Sequence, residues 1–191
     1  MTYTLYGSKT SPFVRKVRML MEDLPYDLKE LDIFSPEGAK ILNEVNPINQ
    51  LPALVDGDQK IWDSRQIYNY LCFKHELPRM TWDEENILTA IDSAASSGVA
   101  ILLMRRSGLA EDVMYAKRQH ERMSSVLDYL KPYLLDNALK EWNFNTMSLY
   151  SFLDWALFRN IISIEDRPEC QKFLDAHSER QIVKETQIPK A

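Results

Sequence analysis

Cysteine is scarce in this chain: there are two, Cys72 and Cys170, far apart and outside any C-x-x-C spacing. That excludes a disulfide framework and a thiolate zinc site, and it fits a reducing compartment. Glycine and proline, at 5 and 9 residues, are too few for a collagen-like or low-complexity chain. Histidine occurs 3 times, at His75, His120 and His177, with no spacing that suggests a metal site. A basic block is also missing. The balance is 23 Lys+Arg against 28 Asp+Glu, net −5, which argues against a nucleic-acid partner and against retention on an anionic membrane. No run approaches the roughly 20 apolar residues of a membrane span. The densest, residues 149–158, is about half that and contains Asp154. The first residues lack a charged region followed by an apolar stretch, so no signal peptide is expected. What is present is 191 residues with 45% apolar side chains, enough to bury a core without staples. The expectation is a cytoplasmic protein of one large or two small domains.

The first half alternates period-2 and period-3.6 patterns, as βαβ units do. Residues 2–6 read as a strand. Ser11-Pro12 then opens a helix with Val14, Val17, Met21 and Leu24 on one stripe, since Ser favours the N-cap and Pro the first helical position. Residues 26–33 read as a second strand. Ser35-Pro36 repeats the same start signal for a helix that finishes before Asn46-Pro47. Residues 52–55 and 60–62 are short strands around Asp56-Gly57, a hairpin signal, and Asp63-Ser64 caps a third helix. The order is β-α-β-α-β-β-α over residues 1–75, with 76–81 as a linker.

Beyond the linker the pattern is helical, and residues 82–191 read as an all-α bundle. Thr81 and Glu84 form a capping box. The small residues from Ala94 to Gly98 suggest close approach of another helix. Val113, Ala116, His120, Met123, Leu127, Leu130 and Leu134 recur in 3-4 alternation, as in antiparallel packing. On that stripe His120 reads as a hydrogen-bonded core histidine, and His75 and His177 read as surface residues. Arg15, Lys16 and Arg18 read as a solvated face, and the two cysteines as packing residues.

Three features of the first half carry chemistry, each with a plainer alternative. Ser11 lies at a helix N-terminus directly after a strand, where open α/β folds bind ligands and where the helix dipole favours an anion such as a thiolate. The plainer reading is an ordinary N-cap, and a hydroxyl can do both. Leu51 precedes a proline at a strand start, which leaves its N–H and C=O for pairing with an extended peptide. The alternative is a trans proline in a loop. Asp63-Ser64 combines a carboxylate, a hydroxyl and helix-start N–H groups, which suit the end of an amino acid; the alternative is capping, with Gln66 as the reciprocal partner.

Taken together, Ser11-Pro12-Phe13-Val14-Arg15-Lys16-Val17-Arg18, Asn46-Pro47-Ile48-Asn49-Gln50-Leu51-Pro52-Ala53-Leu54 and Ile61-Trp62-Asp63-Ser64-Arg65-Gln66-Ile67 resemble, in order, the glutathione S-transferase family. The resemblance implies an α/β thioredoxin-like N-terminal domain followed by an all-α domain. It implies that Pro52 is a cis-proline and that the Leu51 backbone holds the cysteinyl part of glutathione. It further implies that Asp63 and Ser64 hold the γ-glutamyl end and that Gln50 lies beside the tripeptide. Ser11 matches the thiolate-stabilising serine of the serine-type classes. Tyr6 is the rival donor, because other classes place a tyrosine there; its plainer reading is a strand aromatic packed on the sheet, and Ser11 is preferred.

More distantly, Met147-Ser148 and Leu157-Phe158-Arg159-Asn160 resemble the helical half of the two-domain bacterial glutaredoxin. That protein carries C-P-Y-C where this chain has Ser11-Pro12-Phe13-Val14, so dithiol exchange is chemically absent. Two further departures stand out. The late helix could be capped by Ser148 or by Ser151 with Asp154. Asn49 occupies a position where glycine is common. The resemblance implies a transferase that conjugates glutathione, as co-substrate and without a metal, to a small electrophile, and implies a homodimer. The alternative is a non-catalytic glutathione-fold module for binding or protein interaction.

Overall fold

The computed structural model describes residues 2–136 and 138–189. Two compact units emerge, one comprising Met1–Arg79 with Gln181–Ala191 and the other Met80–Arg180.

The first unit opens with β1 (Tyr3–Gly7), α1 (Pro12–Leu20), β2 (Tyr26–Glu30) and α2 (Pro36–Val45). It continues through β3 (Ala53–Asp56), β4 (Gln59–Trp62) and α3 (Ser64–Lys74). The four strands form one mixed sheet in the order β2-β1-β3-β4, with β1 and β2 parallel and the other pairs antiparallel. The thioredoxin-like β-α-β-α-β-β-α expectation is therefore realised. Both serine starts act as read: Ser11 accepts from the Val14 N–H at 3.3 Å and Ser35 from that of Gly38 at 3.0 Å, each with Pro following.

Side-chain alternation divides the core between the two faces of this sheet. Leu5, Leu54 and Ile61 face α1 and α3, packing with Val14, Val17, Met21, Ile67 and Leu71. Tyr6, Ala53 and Trp62 face the other way and pack with Leu31, Leu42 and Val45. The hairpin joins Asp56 to Gln59, its loop starting at Gly57, whose φ of +59° suits glycine. β2 stops earlier than the apolar pattern implies. After Leu31 the chain turns at Asp32, whose carboxylate accepts from the Phe34 N–H at 3.0 Å and whose carbonyl accepts from the Ser35 hydroxyl.

The second unit contains α4 (Trp82–Arg106), α5 (Met114–Leu135), α6 (Phe144–Phe158) and α7 (Pro168–Ser178). The capping box is present: Thr81 accepts from the Glu84 N–H at 3.3 Å while Glu84 accepts from the Thr81 N–H at 2.7 Å. By length and composition alone α4 is long and apolar enough to cross a bilayer, a test that buried core helices also pass. Within the unit it is a packing helix. A Cβ on Gly98 would stand 2.8 Å from Trp155 Cζ3, so the small-residue stretch lets α4 and α6 meet closely.

Several expectations for this half need correction. The cap of α6 is Asn143, which accepts from the Thr146 N–H at 3.1 Å, and neither Ser148 nor Ser151. Both serines lie buried inside the helix, where Ser148 Oγ donates back to the Phe144 carbonyl at 2.6 Å. His120 is not a core residue. It sits half-buried beside Glu111, which also accepts from Arg105, while Gln119 takes the buried position. His177 is buried, tilted against Trp142 and edge-on to Phe173, and its Nδ1 accepts from Arg180 Nε at 3.3 Å. Burial and the Arg180 charge lower its pKa.

After α7 comes α8 (Gln181–Glu185), which belongs to the first compact unit. Arg15 and Arg18 are buried rather than solvated, donating to the carbonyls of Val183 at 3.4 Å and Glu185 at 3.1 Å. Guanidinium donors are suited to the unsatisfied carbonyls of a helix end. Lys16 is buried as well, with its ammonium 5.2 Å from the Phe13 ring centroid.

Candidate functional site

Register brings the sequence-predicted residues to one end of the sheet. Tyr6 pairs with Ala53, and Ala53 pairs with Trp62. These three lie in one row across β1, β3 and β4. Beyond that row, three chain segments emerge side by side: the loop from Gly7 to Ser11, the Leu51-Pro52 dipeptide leading into β3, and Asp63-Ser64 leading out of β4. Two helices start there, α1 and α3. Neither has an acidic residue in its first turn, whereas α2 has Glu37 and α4 has three. The α1 start, capped by a serine, keeps its partial positive charge for a ligand, whereas at α3 the Asp63 cap supplies a carboxylate of its own.

Ser11 is half-buried and extended, with its N–H donating to the Ser8 carbonyl at 3.0 Å. Its hydroxyl accepts from Val14, so its own proton remains available to an anion. Tyr6, the rival, points to the α2 face of the sheet and packs against Leu31, Leu42, Val45 and Ala53.

The Leu51-Pro52 bond is cis, as the resemblance implied and against the trans default. β3 begins only at Ala53, so Leu51 lies outside the ladder. The preceding loop is wound tightly. Asn49 is left-handed at φ +52°, which accounts for the glycine common at that position, and asparagine tolerates this region better than most side chains. Gln50 is exposed, and its carbonyl accepts from Asn46 Nδ2 at 2.6 Å.

Asp63 caps α3, accepting from the Arg65 N–H at 2.8 Å; Gln66 is not its partner in the cap. Its backbone, at φ +70° and ψ 138°, lies in a region that costs a non-glycine residue about 1–3 kcal/mol. Asp63 is exposed while Ser64 is buried. An exposed carboxylate held in a costly conformation beside a helix start is characteristic of a binding position.

Sequence reasoning missed Asn46 and Trp62. Asn46 is buried, and the Trp62 indole N–H donates to the Val45 carbonyl at 2.7 Å, tying the end of α2 to β4. An Asn before Pro signals only a turn, and nothing local reveals that its amide would be buried. Both cysteines are buried, and burial raises the pKa of Cys72 and takes that of Cys170 to about 11, which disfavours the thiolate. Among the described residues no group of His, Cys, Asp or Glu could hold a metal ion.

Comparison with known proteins concerns the fold and the family. The family described as "Glutathione S-transferase, N-terminal domain" matches residues 5–79. The uncharacterized GST-like protein YibF of Escherichia coli is 26% identical over 98% of this chain and 99% of its own. Glutathione S-transferase 3 of Zea mays is 27% identical over 70% of this chain and 67% of its own. A glutathione transferase family member from Pseudomonas fluorescens, solved with bound glutathione, superposes with a TM-score of 0.84 at 23% identity. That superposition covers 98% of this chain and all of the other. The N-terminal match identifies residues 5–79 as a glutathione S-transferase N-terminal domain, and the structural likeness shows that the chain shares the fold of that relative.

Proposed function

We propose that this chain binds reduced glutathione at the end of the sheet where α1 and α3 begin, and transfers its thiolate to a small electrophile. The carrying observation is the Tyr6–Ala53–Trp62 row, which sets Ser11, Leu51-Pro52 and Asp63-Ser64 side by side. The structural relative solved with glutathione supports the choice of ligand.

Each residue has a task in this reading. The Leu51 N–H and C=O pair with the cysteinyl backbone of the tripeptide, as one strand adds to another. Asp63 pairs with the γ-glutamyl ammonium, and Ser64 with the α3 N–H groups receives its carboxylate. Gln50 lies alongside. Ser11 donates to the sulfur at the start of α1. A free thiol titrates near 8.5, so lowering it by about 2 units requires about 2.7 kcal/mol of preference for the thiolate. One hydrogen bond to a charged group, about 1.5–3 kcal/mol, together with a helix N-terminus can supply that. The sulfur lone pair then forms the bond to the electrophilic carbon, and a leaving group such as chloride departs with its electron pair. The thiol proton passes to solvent. Tyr6 is set aside because its ring packs under the sheet.

The same reading takes the protein as a cytoplasmic homodimer. Titration calorimetry with reduced glutathione, followed by a spectrophotometric assay with an aromatic halide, tests it. Uptake and turnover that fall with Ser11→Ala support the transferase. Uptake without turnover, unchanged by that substitution, makes the chain a binding module instead. No uptake at millimolar glutathione overturns both.

A further inference from the structure

We infer that Asn46 is a positioning residue for the cysteinyl part of glutathione, an inference that rests on the glutathione reading above. Asn46 touches no ligand in this account; it acts through the Leu51 backbone. It is fully buried at the C-cap of α2 and uses every polar group it has. Its backbone N–H donates to the Leu42 carbonyl at 2.7 Å and its carbonyl accepts from the Asn49 N–H at 3.0 Å. Its side-chain Oδ1 accepts from the Ile48 N–H at 3.1 Å, and its Nδ2 donates to the Gln50 carbonyl at 2.6 Å. The chain from 46 to 50 is therefore wound around one amide, with Asn49 in the left-handed conformation that the winding needs.

The Gln50 carbonyl belongs to the peptide unit whose N–H is that of Leu51. Holding this oxygen sets the plane of the amide and with it the direction of the Leu51 N–H, one of the two groups proposed to meet the ligand. The loop is anchored from below as well. Trp62 Nε1 donates to the Val45 carbonyl at 2.7 Å and Lys60 Nζ to the Glu44 carbonyl at 2.9 Å, so the base of the loop is fixed to β4. The strand that carries this anchor ends at Asp63. One network thus relates the group for the cysteinyl backbone to the group for the γ-glutamyl end.

Only an amide of this length satisfies both partners. Aspartate would accept from Ile48 but would face the Gln50 carbonyl oxygen with a second acceptor, and alanine would satisfy neither. The test compares wild type with Asn46→Asp, Asn46→Ala and Met21→Ala, the last a core substitution in the same unit away from the loop. For each, the glutathione Kd is measured by calorimetry, kcat and KM with an aromatic halide, and stability by urea unfolding. The expected result is a rise of about tenfold in Kd and in KM for glutathione for both Asn46 variants, the size of a lost hydrogen bond and its orphaned partner. kcat should stay within about threefold, as for lost ground-state binding. Met21→Ala should lower the urea midpoint while leaving Kd unchanged. Should Asn46→Ala not fold, Asn49→Val supplies a second route: it is exposed, disfavours the left-handed conformation, and should also weaken glutathione binding. Wild-type Kd in the Asn46 variants, or an equal loss of affinity in Met21→Ala, would overturn the positioning role alone. A wild-type protein that takes up no glutathione would overturn the reading beneath it and this role together.

Discussion

The two units use polar side chains in opposite ways. In the first, hydroxyls, carboxylates and backbone groups collect at one end of the sheet, where Ser11 keeps a free proton and Asp63 stands exposed. In the second, several polar groups are consumed internally. Asn143 caps α6, Thr146 donates to the Glu141 carbonyl at 2.5 Å, Ser148 bonds back within its helix, and His177 is enclosed by Trp142 and Phe173. The difference follows from layer geometry. A sheet covered by helices on both faces leaves its strand ends and helix starts open, so unpaired groups gather there. A helical bundle has its backbone paired along its length and offers solvent mainly side chains. The proposed chemistry therefore lies in the first unit.

The contrast can be broken most sharply in the second unit. Trp155 is 1% exposed and fills the space beside Gly98, so Trp155→Ala should cost about 3–5 kcal/mol in urea unfolding. A cost under about 1 kcal/mol would mean that α4 and α6 are not held by this ring.

Ser11→Ala should act on chemistry more than on stability. The expected effect is a fall of about tenfold to a hundredfold in kcat/KM for an aromatic halide, from a lost hydrogen bond to a charged group. The pH-rate profile should also move to higher pH, because the sulfur reverts toward its ordinary pKa. The lost cap should lower stability by about 1 kcal/mol. A variant as active as wild type would remove the chemistry from this helix start.

At the opposite end of the sheet the first unit contains a structural polar cluster. Asp56 accepts from the Tyr70 hydroxyl at 2.6 Å and from Lys74, which lower its pKa, the lysine bond contributing most. A carboxylate with a depressed folded-state pKa stabilises above its unfolded pKa of about 3.9 and loses that contribution as pH falls through the folded value. Urea midpoints measured from pH 5 downward should therefore fall more steeply for wild type than for Asp56→Asn.

His177 should give a smaller effect of the same sign. Its neutral form is favoured by burial and by Arg180, so the second unit should be most stable above pH 6.5 and lose stability as pH drops through the lowered value. His177→Gln should flatten that part of the stability profile.

Local signals were legible where they act over three or four residues. Ser11, Ser35 and Thr81 cap the helices they precede because the hydroxyl meets an N–H three positions on, whatever lies elsewhere. The Gly57 turn and the strand alternation that sends Leu54 and Ala53 to opposite faces were readable for the same reason. Of the candidate site, residue types and order were visible, but their assembly came from strand register. Where expectation failed, burial decided. His177 and His120 exchanged environments because the face a helix presents depends on its neighbours, and Ser148, a good capping residue by type, lies inside the helix because Asn143 starts it earlier.

By itself the sequence determined where most helices of the first unit begin, the hairpin turn, and that no thiol could serve as a nucleophile at the first helix. These depend on bonds and periodicities confined to a single element. Only the tertiary structure decided that Tyr6, Ala53 and Trp62 share a row, that an asparagine amide winds the loop before Pro52, and that buried arginines of α1 meet the carbonyls of α8 some 170 residues later in the chain. The row and the arginine contacts require groups distant in sequence to be desolvated together, and the Asn46 loop requires its amide to be buried by the elements around it. The free energy of a buried hydrogen bond depends on whether its partner arrives, which no local pattern encodes.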